Sequence, residues 1–263
     1  MILSNLGVNT VFHYTNFTAL ENILRTRSIW LSHSSSLNDL SEGLHGVKIL
    51  CDAMKLSRTN NDDLNSIDNF QGVMEYATKK EGFYVASFCQ EGNSLVQWRA
   101  YANDGCGVAI GFDVDKLKSI CEDYRYAFGK CGYSESENKN IFEDIYGNLS
   151  NISPKNDVNF PVILVAMTSA FIKHSGFSCE KEYRIVSGPG VENKDRKRND
   201  KTINYHSLDL SDNFSWLKEI YVGPCKQQLS IGSDIQALLE ELRIDVTNKI
   251  RYSDIPYRGI RNY

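Results

Sequence analysis

The sequence predicts one α+β domain over residues 1–263, with mostly antiparallel strands and helices inserted between them. Three observations predict it. The chain has 263 residues and is 41% hydrophobic, enough for one large core. Strand, helix and strand follow closely in "GFYVASF", "NSLVQWRAYA" and "GVAIGFD", a compact unit with one helix against a sheet. The C-terminal third alternates short strands with turns, and no internal repeat or low-complexity linker divides the chain.

Each element has its own reason. "TVFHYTNFTALENILRTRSIWLSHSSSLNDLSEG" opens with a short strand. Thr15 or Asn16 can then cap a helix in which Leu20, Ile23 and Leu24 recur at helical spacing. A strand around "SIWLS" follows, then a helix from Leu40 to about Leu56 through Leu44, Val47, Cys51 and Met54. "SRTNNDDLNSIDN" is polar and reads as a surface loop or helix junction. "NSLVQWRAYA" begins at a capping Asn93 or Ser94 and stops at the turn "NDGCG". "YRYAFGKCGYS" carries a further strand, and "SENKNIFEDIYGNLSN" has weak helical periodicity. "VNFPVILVAMTSAFIKHSG" reads as a long apolar helix ending at Gly176. Strands in "EKEYRIVSG", "INYHSLDL" and "LKEIYVGP", a helix in "SIGSDIQALLEELRI" and a last strand near "NKIRYSDI" complete the order.

Composition narrows the function classes. Net charge is −4 and the isoelectric point is near 5.8, so contact with nucleic acid or anionic lipid has to come from a local patch. The seven cysteines form no CxxC pair and no Cys/His cluster, which fits reduced thiols. No apolar run approaches a membrane span, and "MILSNLGVNTVFHY" lacks a basic stretch followed by an apolar one, so a cytoplasmic protein without membrane contact is expected. Walker A, GxGxxG, HExxH and GxSxG motifs are all missing, which disfavours triphosphate hydrolysis and metal catalysis; no metal ligand set is expected.

Candidate residues then stand against plainer readings. His13, with Tyr14 and Thr15, sits between a strand and a helix N-terminus. Either it is an ordinary core or surface residue, or its imidazole and the neighbouring hydroxyl hydrogen-bond a ligand's sugar hydroxyls, with the helix N-terminus nearby favouring a pyrophosphate. Asn38, Asp39 and Glu42 form above all a turn and capping signature. Trp98 and Tyr101 are core, or one of them stacks on a flat heterocycle while Arg99 meets a phosphate. Glu180, Glu182 and Arg184 mark either a solvated strand face or a pocket with paired carboxylates. Lys194, Arg196, Lys197, Arg198 and Lys201 are a solvated loop tip or a phosphate-holding loop.

In order, "FHYTNFTALENIL", "IWLSHSSSLNDLSE", "YVASFCQEGNSLVQWRAYANDGCGVAIGF" and "EKEYRIV" resemble a widespread bacterial domain family long described as of unknown function. More distantly, the arrangement resembles the ADP-ribosyltransferase fold of the H-Y-E type, including DNA- and RNA-modifying toxins that open with a similar His-x-Thr. The resemblance implies split antiparallel sheets and NAD as co-substrate. His13 and Thr15 would bind an NAD ribose, Ser87 and Phe88 would match the second strand, and Tyr101 or Trp98 would stack on nicotinamide. Glu182 would be the catalytic glutamate and Glu180 its helper in orienting the acceptor, with Arg99 or Arg184 at the pyrophosphate. A carboxylate held against the ribose suits the positive charge that develops there as the glycosidic bond breaks. The expected function is transfer of ADP-ribose to a macromolecule, with nucleic acid reached through Arg196, Lys197 and Arg198 as first choice. The protein would act as a toxin or defence effector, with an antitoxin as a further partner. The alternatives are a non-catalytic nucleotide-sensing or protein-interaction module and an NAD glycohydrolase.

Overall fold

The computed structural model describes residues 1–3, 6–36, 45–49, 52, 82–152, 167–188, 191–198, 201–210, 213–245, 247 and 249–257. Its strands are β1 (Thr10–Thr15), β2 (Ser28–His33), β3 (Tyr84–Cys89), β4 (Val108–Asp113), β5 (Ala127–Lys130), β6 (Glu182–Ser187), β7 (Lys194–Arg198), β8 (Lys201–Asp209), β9 (Leu217–Val222) and β10 (Ile250–Tyr252). Between them lie α1 (Phe17–Thr26), α2 (Leu95–Tyr101), α3 (Val114–Asp123), α4 (Glu135–Ile152) and α5 (Gln228–Glu241). The result is a mixed α/β fold around a large, mostly antiparallel open sheet. Its order is β10-β9-β4-β1-β3-β2-β8-β7, with β6 joining β3 and β5 joining β6. The β9–β10 pair is parallel; the other strand pairs are antiparallel.

Helices α1, α2 and α5 form where the sequence pattern asks for them, and α3 is a helix that the sequence reading did not place. Asn16, not Thr15, caps α1, its Oδ1 accepting from the Ala19 N–H at 2.8 Å. Leu20, Ile23 and Leu24 are the buried stripe of α1. Asp113 caps α3 by accepting from the N–H groups of Asp115 and Lys116. Burying each such leucine or isoleucine stabilises the fold by about 1.5–3 kcal/mol.

The sheet branches at β3. β6 pairs with β3 along its whole length, from Tyr84↔Ser187 to Cys89↔Glu182, and so occupies one edge. The other edge is shared: β2 takes Tyr84 and Val85, whereas β1 touches only Cys89, through Phe12. β1 and β2 therefore diverge opposite the middle of β3.

Directly opposed residues of an antiparallel pair share a face. Phe12, Ser87, Cys89, Glu182, Arg184 and Val186 thus lie on one face, while Phe88, Tyr183 and Ile185 lie on the other, inside the main core with Phe112, Phe128 and Trp216. The first face carries two smaller apolar clusters. One gathers Phe83, Val85, Ile141, Ile145, Met167 and Phe171; the other gathers Phe12, Tyr14, Cys89, Trp98, Ala102 and Ala109.

Three expectations change. The apolar run near 160–176 is not one helix ending at Gly176: among the described residues, helix covers only 167–169. The chain then turns, Ile172 bridges to Gly132, and Ser175–Glu180 forms a 3-10 turn. Strand β6 begins at Glu182 rather than Glu180, because Lys181 adopts a left-handed conformation at φ 45°. The basic segment is the edge strand of a β-hairpin, not a loop tip. The weak helical periodicity after Ser134 is realised as a full helix, α4. Asn38, Asp39, Glu42 and the polar stretch 57–69 lie outside the described residues, as does most of the helix expected over 40–56, of which 45–49 is helical. Among the described residues, no helix is long and apolar enough to cross a membrane.

Candidate functional site

Where β1 and β2 part, the ladder on that edge of β3 is completed by a side chain. His13 Nδ1 lies 2.9 Å from the Ser87 carbonyl oxygen. A carbonyl only accepts, so Nδ1 carries the proton and Nε2 is the acceptor of the neutral ring. Burial lowers the pKa of His13, and the bond to Ser87 offsets this only in part. The imidazole is therefore neutral at pH 7. Its ring meets Phe88 edge-on at 5.9 Å, which fixes the plane in which Nε2 lies.

Tyr14, on the opposite side of the strand, fastens β1 to α2. Its hydroxyl donates to the Glu91 carbonyl at 2.7 Å and accepts from the Ser94 N–H at 3.0 Å, so it serves the start of α2 where the Ser94 side chain makes no capping bond. The Tyr14 ring packs edge-on against Trp98 at 4.7 Å. Trp98 is fully buried, and its Nε1–H donates to Asn93 Oδ1 at 2.9 Å. One helical turn on, Tyr101 is 42% exposed and its hydroxyl donates to Glu180 Oε1 at 3.0 Å. Sequence spacing left these two aromatics equivalent; burial separates them. Trp98 is core, and Tyr101 borders the cavity.

The charged residues form a compact cluster between the two smaller apolar clusters. Lys173 is 4% exposed, and its Nζ stands 2.5 Å from Oε2 of both Glu180 and Glu182. Arg184 donates from Nε to Glu182 Oε1 at 2.7 Å and from Nη2 to Glu182 Oε2 at 3.1 Å, while its Nη1 donates to the Ala170 carbonyl at 2.6 Å. The Glu182 N–H donates to the Tyr133 hydroxyl at 2.9 Å. Burial would raise the Glu182 pKa, but the Arg184 guanidinium and the Lys173 ammonium outweigh it and hold the carboxyl down at about 2. Glu182 is thus an ionised carboxylate in a place from which water is largely removed. The corner at Lys181 is pinned by its carbonyl, which accepts from the Gln90 N–H at 3.0 Å, and by its ammonium, which pairs with Glu91. A non-glycine residue held at positive φ beside paired carboxylates is the kind of strain that gathers at sites.

These side chains line one cavity of about 160 Å³. Its wall includes His13, Tyr14, Ser87, Phe88, Tyr101, Glu180, Glu182 and Arg184, all singled out in the sequence. It also includes residues that sequence reasoning missed: Phe12, Cys89, Gln97, Lys173 and Phe177. Lys173 had a legible signal, a single cation closing an apolar run, but a helix end accounts equally well for a terminal lysine. Burial pushes the Cys89 thiol up to about 11, so it offers no thiolate at neutral pH. Burial and the Glu180 carboxylate raise the Tyr101 pKa and keep its phenol protonated as a donor.

The remaining expected residues stand elsewhere. Thr15 ends β1 opposite Val108 and is not in the cavity wall. Arg99 places its guanidinium over the Tyr257 ring at 5.9 Å, outside the wall, because it projects from another side of α2 than Gln97 and Tyr101. Arg196, Lys197 and Arg198 lie on β7, the outermost strand beyond β2 and β8.

Residues 97–185 match the model of a family described as "Protein of unknown function (DUF2971)". The matched stretch holds Tyr101, Lys173, Glu180, Glu182 and Arg184, and leaves His13 and Ser87 outside. No curated protein and no solved structure matches the chain.

Proposed function

We propose that the protein is an ADP-ribosyltransferase that takes NAD as co-substrate and modifies a macromolecule, nucleic acid first, as a bacterial toxin or defence effector. One observation carries the reading: residues named for that chemistry from distant parts of the chain, His13, Ser87, Tyr101, Glu180 and Glu182, border a single cavity. The cavity is smaller than the ~300–1,000 Å³ of sites that enclose a whole drug-sized ligand, so it suits the nicotinamide-ribose end of NAD with the rest lying outside. Tyr101 borders the nicotinamide, and His13 Nε2 accepts from a ribose hydroxyl. The bond between ribose C1′ and the nicotinamide nitrogen breaks with its electron pair leaving on nicotinamide. The Glu182 carboxylate stabilises the positive charge that develops on the sugar. A lone pair of the acceptor forms the new bond to C1′, and the acceptor's proton passes to solvent water, with Glu180 beside it to orient the nucleophile.

A second reading has its own support. Both oxygens of Glu182 already meet cations, Arg184 and Lys173, which offsets the field a carboxylate would exert on a cationic sugar. This favours a non-catalytic module that binds a nucleotide-like ligand. Incubating purified protein with labelled NAD separates the readings. Transfer requires label retained on nucleic acid or protein and lost in Glu182→Gln with the fold intact. Free ADP-ribose alone identifies a hydrolase, and binding without turnover identifies the module. Full transfer by Glu182→Gln would sink the assignment of the reacting carboxylate.

A further inference from the structure

The edge hairpin carries a second feature. Across β2 and β8, Trp30 faces Ser207 and Ser32 faces Tyr205; across β7 and β8, Lys194 faces Tyr205 and Arg196 faces Ile203. By the same pairing rule, Trp30, Tyr205, Lys194 and Arg196 share one face. Ser32 opposes Val85, which carries the face on to β3, so it is also the face of Ser87, Glu182 and Arg184. The Trp30 and Tyr205 rings lie 4.4 Å apart and 33° from parallel. The Arg196 guanidinium stands 4.9 Å from the Trp30 centroid and 6.0 Å from that of Tyr205. Both rings are half-buried at the surface. The chain as a whole is acidic, but β7 reads KDRKR, and its one acid, Asp195, opposes Asn204 and so sits on the other face.

We infer that this face is a docking platform for single-stranded nucleic acid, with a base stacking on the Trp30–Tyr205–Arg196 group and Lys194 meeting the phosphates. Planar side chains interleaved with cations bind unpaired bases, whose ring faces are open, whereas a duplex keeps those faces stacked. An acidic peptide would satisfy the cations and leave the rings without a counterpart. As the acceptor surface of a transferase the platform rests on the function proposed above; as a binding surface it does not.

The test contains no NAD, so its result is separate from that of Glu182. A labelled oligouridine and its duplex with oligoadenosine are titrated with the protein by fluorescence anisotropy. The single strand is expected to bind more tightly and to quench tryptophan emission. Trp98 and Trp216 are fully buried, so the quench reports on Trp30. Trp30→Leu should remove the quench and weaken binding about tenfold, while Trp30→Phe, which keeps a ring and controls for folding, should retain most of the affinity. Equal affinity for strand and duplex, unchanged affinity in Trp30→Leu, or no binding to either would overturn the proposal.

Discussion

Two charge clusters in this molecule use the same chemistry and differ in what surrounds them. At the surface, Arg25 makes a two-point contact with Glu241 at 2.7 and 2.9 Å and a third with Glu21 at 2.9 Å. Inside, Arg184 meets Glu182 at 2.7 and 3.1 Å and Lys173 meets it at 2.5 Å. The surface arginine side chain is 39% exposed and that of Glu241 59%, against 3% for Arg184 and 7% for Glu182. In water both partners of the outer pair are well solvated when apart, so the contact adds little. In the interior each charge depends on the others, because no water replaces a lost partner. Charge-assisted contacts of similar length therefore signal a surface decoration in one place and an obligate unit in the other.

The sharpest way to break this comparison is to remove the shared cation. Lys173→Met removes the cation that Glu180 and Glu182 share, leaves Glu182 to Arg184, and should cost about 3–5 kcal/mol in urea unfolding. Adding Glu180→Gln to that variant should restore part of the loss. A variant as stable as the parent would mean that water reaches the cluster.

Acid tests the same cluster without mutation. Glu182 has a depressed folded pKa, about 2 against an ordinary 4.5, so it favours the folded state above pH 4.5 and loses that contribution as the pH falls toward 2. The gap corresponds to about 3 kcal/mol. His13, also depressed, contributes in the same direction: its neutral folded form becomes a liability below its ordinary value of 6.5. Unfolding free energies measured from pH 7 to pH 3 should decline in these two windows, and Glu182→Gln should flatten the lower one.

The smallest effect belongs to the surface. Arg25→Ala should move the unfolding midpoint by no more than the scatter of replicate curves, and raising the salt should remove what difference there is. A large, salt-insensitive loss would erase the contrast between the clusters.

The sequence by itself determined much of the frame. Period-two strands, the helical stripe Leu20, Ile23 and Leu24, and the strand-helix-strand unit around Trp98 are local patterns, and local sterics and amphipathicity are enough to realise them. It also pointed to part of the cavity wall, His13, Tyr14, Tyr101, Glu180, Glu182 and Arg184 by their residue types and Ser87 and Phe88 only through the resemblance to a known fold. The tertiary structure decided what depends on partners distant in the chain. Trp98 and Tyr101 differ only in what packs on them: Tyr14 from β1 closes over one, and Glu180 reaches the other. Glu182 and Arg184 became a buried pair only when β3 covered one edge of β6 and β5 the other, and when Lys173 entered from a turn that follows an apolar run. The basic segment became a strand through its ladder with β8, beside a Trp30 more than 160 positions earlier. Periodicity reports which face of an element is apolar; whether a charge on that face meets water or a counter-charge is set by the element that lands on it.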